Sequence, residues 1–159
     1  MNTDIKKIVE LDKTTKLIYN PKVIKNSDSR TKIVTILAKQ GCTRIDIVTA
    51  PNTIKYTNGW WVNIHKEIYI KPINSIIKLP LLKVINIPLA PKKHFFKSRH
   101  ELLSFTLIFP ELPKGIQSFD LIESNLPDTE LSSWLNIYGV SLETHHGSSN
   151  TSLYAYNNN

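Results

Sequence analysis

One cysteine in 159 residues, Cys42, excludes an intrachain disulfide and leaves a thiolate zinc site short of sulfur. Five glycines provide no glycine-rich phosphate loop. Arginine is scarce. Arg30, Arg44 and Arg99 stand beside seventeen lysines, whereas phosphate recognition leans on guanidinium forks. Long apolar runs are missing as well: LLSFTLIFP at 102–110 is too short to span a bilayer and is broken by Pro110. The opening MNTDIKKIVELDK holds no apolar stretch leading to a cleavage signal. As written, the chain is expected to be soluble and cytoplasmic, with no membrane span; a trimmed N-terminus would move the expectation to the cell envelope. No serine sits in a nucleophile-elbow context, and no segment carries an amphipathic helix of useful length. No cofactor is implied, and the chain is not expected to be an enzyme.

What the chain has is alternation. Phe105, Leu107 and Phe109 interleave with Thr106 and Ile108, the period of two that a pleated segment imposes. Pro110, Pro113 and Gly115 then stop regular structure, and the extended pattern resumes over 116–123. Further strands are predicted at 5–11, 16–19, 32–39, 43–49, 53–57, 60–64, 68–71, 76–87 and 134–142. Gln40-Gly41 joins 32–39 to 43–49 as a hairpin. Asn58-Gly59 carries the strongest short hairpin signal, since a type I′ turn needs positive φ at both central residues. Pro80 and Pro88 place 76–87 at a sheet edge or in a bend between sheets. Pro127 to Glu130 could begin one helical turn. These features predict an all-β fold, a single antiparallel β-sandwich of eight to ten short strands. The domain spans 1–142, and 143–159 is expected to form a flexible polar tail.

The net charge of +7 hides an asymmetry. Residues 1–100 carry 19 Lys+Arg against 6 Asp+Glu, while 101–159 carry 1 against 7. Two readings follow. Basic early strands would pair with acidic late ones, or the basic half would attract polyanions, nucleic acid among them.

Two segments stand out as a binding surface. Trp60 and Trp61 are adjacent on one strand and so point to opposite faces, one inward and one outward. Lys92, Lys93, Phe95, Phe96, Lys97 and Arg99 interleave cations with aromatics in the loop at 90–101. Tryptophan dominates interaction hot spots, so these eight residues are the candidate binding set for a partner protein. His94, His100 and the pair His145-His146 are the metal-ligand candidates by residue type. Lys97 and Arg99 repel a cation beside the first two, and neighbours in an extended tail diverge. Glu101, Glu111, Asp120 and Glu123 are the carboxylates of the best-defined region; Asp120 and Glu123 differ in parity and do not share a strand face.

Four segments, GWWVNIHKEIYI, VINIPLAPKKHFF, ELLSFTLIFPELPKGIQSFDLIES and WLNIYGVSL, together resemble an immunoglobulin-like β-sandwich domain of Bacteroidota. That domain reads as a tryptophan strand ending in YI, a strand ending in IPL, an F-x-L-x-FPPLPK…FDFIE run and a closing aromatic YGI-x-L; here the run stands as FPELPK…FDLIE and the closing segment as YGVSL. The resemblance covers roughly 40–142. It implies an immunoglobulin-like fold and a setting mostly in envelope proteins, alone or ahead of other domains, thioredoxin-like ones included. It carries over no catalytic residues. The function expected is therefore a non-catalytic protein-interaction or scaffold module.

Overall fold

Apolar residues recur at every second position through much of the chain, and the backbone follows them into strands. The computed structural model describes residues 15–54, 56, 59–129 and 133–144. Among them run β1 (Lys16–Tyr19), β2 (Lys25–Asn26), β3 (Thr31–Lys39), β4 (Cys42–Thr49), β5 (Trp61–Val62), β6 (Tyr69–Pro72), β7 (Leu79–Pro80), β8 (Lys83–Ile85), β9 (His94–Phe95), β10 (Leu103–Phe109), β11 (Ser118–Ile122) and β12 (Asn136–Ser141). The described residues thus hold more strands than the eight to ten expected, because several are only two residues long. One sheet runs β1-β3-β4-β10-β8 and a second β2-β12-β11-β6-β7, each antiparallel throughout. β5 and β9 form a separate two-stranded ribbon.

The two five-stranded sheets close on one apolar core, which makes the fold an antiparallel β-sandwich. β4 shows how the sequence places it: Ile45 and Ile47 are buried, while Arg44 faces out. Phe109 ends β10 and Phe119 lies in β11, and both are fully buried. They bracket the proline-ruled connection that carries the chain from the first sheet to the second. Burying a side chain of this size stabilises a fold by about 1.5–3 kcal/mol.

The Gln40-Gly41 turn falls where the sequence put it. Gly41, at φ 92°, lets Lys39 and Cys42 face each other across the β3–β4 hairpin. The run at 76–87 is divided by its prolines: β7 edges the second sheet and β8 edges the first, so both the edge and the bend are realised. Two bulges went unpredicted. Val34 is extra on β3, between the pairs Ile33↔Ile47 and Thr35↔Asp46. Gly139, at φ 63°, lies on β12 where the register shifts against β11.

Other expectations need correction. Trp61 and Val62 pair with Phe95 and His94. Thr53 and Ile54 lie in a turn, and Lys55, Thr57 and Asn58 are outside the described residues, as are the candidate strand 5–11 and the tail at 145–159. Residues 127–129 are irregular, and Glu130 is likewise outside.

Candidate functional site

The ribbon unites the two segments singled out in the sequence. Trp61 stands directly opposite Phe95, and Val62 opposite His94. The ladder continues with Phe96 N–H donating to the Trp60 carbonyl at 2.9 Å. Alternation then sorts four aromatics into two pairs. Trp60 and Phe96 face the sandwich, with Phe96 only 5% exposed. Trp61 (39% exposed) and Phe95 (64%) face solvent. The sequence expectation of one tryptophan in and one out therefore holds, and Trp61 is the outer one. Phe96 belongs to the core and supports the surface from beneath.

Several contacts hold the ribbon in place. The Arg30 guanidinium lies 4.8 Å from the Trp60 ring centroid and is itself tied to Asp28 at 2.9 Å. Tyr56 donates its hydroxyl to the Phe96 carbonyl at 2.9 Å, and the Asn63 amide donates to the Lys92 carbonyl at 2.9 Å. His94 meets Phe96 edge-on at 5.3 Å and sits 3.5 Å from a Glu101 oxygen. The same carboxylate accepts the Lys97 N–H at 2.6 Å. On the outer face, Lys93 holds its ammonium 4.3 Å from the Trp61 centroid. The side chains of Lys92, Lys97 and Arg99, in the same segment as Lys93, are exposed.

The expected pairing of basic early strands with acidic late ones is met in register but, among the described residues, not in ion pairs. Lys71 stands opposite Asp120 in the β6–β11 register, but the Asp120 carboxylate accepts the bulged Gly139 N–H at 2.8 Å. Glu111 accepts from Gly41 N–H, and Asp128 from Trp134 N–H. The late carboxylates satisfy backbone donors, so opposite charges do not knit the early and late strands together. Among the described residues no lysine forms an ion pair with a carboxylate. Lys25, Lys78 and Lys93 lie over tyrosine or tryptophan rings instead.

Two polar clusters escaped the sequence reading. On the outer face of the first sheet, Asp46 accepts from Thr35 at 2.5 Å, Thr106 at 2.6 Å and Arg44 at 3.0 Å. Partial burial raises its pKa, but the hydrogen bonds from Thr106, Thr35 and Arg44, with the Arg44 charge, outweigh that and hold it below 3.8. A groove of about 340 Å³ passes over this cluster, bounded by Val34, Val48, Ile85 and Asn86. The signal in the sequence was the outward parity of Asp46 and Thr106; their meeting required the β4–β10 register. The second cluster centres on Glu123, only 7% exposed. Its two oxygens accept His65 N–H at 2.9 Å and Leu135 N–H at 2.6 Å. Burial is the largest influence and raises its pKa above 4.5, against the pull of those N–H donors and the His65 charge.

Among the described residues, no three His, Cys, Asp or Glu side chains converge as a metal site; His145 and His146 lie outside them. No described helix is long and apolar enough to cross a membrane. The chain matches no known protein family, no curated protein and no solved structure.

Proposed function

We propose that this chain is a non-catalytic protein-interaction module on an immunoglobulin-like sandwich, with the solvent face of the β5–β9 ribbon as its contact surface. One observation carries the reading: Trp61 and Phe95 are exposed in register on one face while Trp60 and Phe96 anchor the other. Exposed aromatics on a braced element lose little freedom on binding, which is the property of a hot spot. The immunoglobulin-like assignment rests on the FP-x-LPK…FDLIE run, which begins at the last residue of β10 and continues through the connection into β11.

The test is affinity capture from the native host with the wild-type chain and with Trp61→Ala/Phe95→Ala, each after nuclease and a high-salt wash. A defined protein recovered by the wild type and lost with the double variant supports the reading. Recovery unchanged by the double variant removes this surface.

A second reading, polyanion binding through the basic half, is favoured by the absence of lysine ion pairs among the described residues. It requires affinity for heparin or an oligothymidylate that falls steeply with salt. A flat salt response would remove it.

A further inference from the structure

The chemistry of the ribbon face narrows the partner. Resting on the interaction reading above, we infer that the Trp61–Phe95 face receives an acidic segment of a partner protein, anchored by an apolar side chain. Two observations carry this. The first is charge. Lys92, Lys93, Lys97 and Arg99 flank Phe95 in sequence with exposed side chains, and Lys93 lies over the Trp61 ring. The one carboxylate in their segment, Glu101, is taken by the Lys97 N–H and lies beside His94. The segment therefore carries four Lys and Arg side chains against one carboxylate, and the complementary surface is anionic.

The second observation is the arrangement of the tryptophan. Lys93 already covers one face of the Trp61 ring at 4.3 Å. A nucleobase would have to displace that ammonium to stack there, losing the cation–π contact. A peptide carboxylate meets the same ammonium without displacing it. The adjacent surfaces of Trp61 and Phe95 remain open to a leucine or phenylalanine side chain. Cation and apolar seat are thus adjacent, and an acidic–apolar peptide uses both at once. Nucleic acid would use the cations and Phe95 but give up the Trp61 face that Lys93 covers.

The experiment follows amide and indole resonances of the full chain on titration at physiological salt. Four probes are compared: a short glutamate-rich peptide with a central Leu-Phe pair, its lysine counterpart, a polyglutamate of equal charge, and an oligothymidylate of equal charge. The expected result is that the acidic Leu-Phe peptide shifts Trp61, Lys93 and Phe95. It should bind more tightly than polyglutamate, and the lysine peptide should not bind. Lys93→Glu and Trp61→Ala should each weaken the acidic peptide roughly tenfold while the spectrum stays dispersed. The inference is overturned if the lysine peptide binds equally, if polyglutamate matches the Leu-Phe peptide, or if the oligothymidylate binds the ribbon more tightly. Absence of any ribbon shift with the acidic Leu-Phe peptide overturns it too. A captured partner that is lost with Trp61→Ala but indifferent to Lys93→Glu leaves the interaction reading standing and removes the acidic partner. Capture indifferent to both Trp61→Ala and Phe95→Ala removes the interaction reading itself.

Discussion

Glu123 holds Leu135 by a 2.6 Å hydrogen bond from the Leu135 N–H to its carboxylate, and with its other oxygen it holds His65. A single buried side chain thus fastens the end of β11, the entry to β12 and the loop before β6. Glu123→Gln keeps the shape but offers one carbonyl oxygen to two amides. We expect a loss of about 1–3 kcal/mol, the cost of leaving a buried donor unmet, seen as a lower urea midpoint with unchanged slope. The pH dependence has a definite sign. The folded carboxyl has a pKa raised above 4.5, so the native state binds the proton more readily than the unfolded chain. Stability linked to this group therefore increases as pH falls through the folded pKa toward 4.5. The gap between wild type and Glu123→Gln should widen over that range; a gap that narrows would contradict the assignment.

Asp46 should behave oppositely. Its folded pKa lies below 3.8, so its contribution is complete above that value and fades as pH falls through the folded pKa. Asp46→Ala strands the Thr106 hydroxyl, on a residue only 6% exposed, and should cost about 1–3 kcal/mol at neutral pH. In urea titrations the gap between variant and wild type should narrow as pH falls through the folded pKa, below 3.8; a gap that widens there would contradict the assignment.

Adjacent tryptophans should separate stability from recognition. Trp60→Ala removes a ring packed against the core and under Arg30, and about 3 kcal/mol of stability should go with it. Trp61→Ala should change stability by less than about 0.5 kcal/mol, as for surface positions in general, while removing partner binding. Thermal melts and capture on the two variants should give opposite profiles.

Gly139→Ala tests the bulge. Its φ of 63° disfavours a side chain, and a Cβ there would stand 2.5 Å from Ile24 Cδ1 and 2.9 Å from Ile24 Cβ. The backbone alone accounts for about 1–2 kcal/mol, and the Ile24 contact adds to it. Ile24→Ala should recover only part of the loss, because the Ile24 Cβ contact and the backbone strain persist.

These cases also mark what the sequence could reveal. The β3–β4 hairpin, the division of 76–87 between sheets and the opposed faces of Trp60 and Trp61 all depend on local patterns, and all were legible. The pairing of Trp61 with Phe95 was not. Its register joins residues 34 apart in the chain, and the nearer Asn58-Gly59 signal pointed Trp61 toward another strand. Both halves of the candidate surface were nevertheless named, because exposed aromatics among lysines are a compositional feature. Gly139 within YGV was a readable bulge signal, but the apolar residues around it resemble a plain strand. Glu123 was named among the carboxylates, but its partners and those of Asp46 were not legible, because they are amides and hydroxyls brought in from distant segments.

Apart from Glu67 and Glu143, every described carboxylate receives an N–H or O–H bond from the fold, whereas the described lysines form no carboxylate pairs. Ionic strength should therefore act on this protein unevenly. Dissolved ions screen the exposed lysines strongly, and disturb the buried bond of Glu123 and the partly buried bonds of Asp46 much less. Added salt should leave the melting temperature nearly constant while it weakens association with any anionic partner. Folding and encounter are governed by separate sets of charges, and a salt titration read by both calorimetry and binding would register them independently.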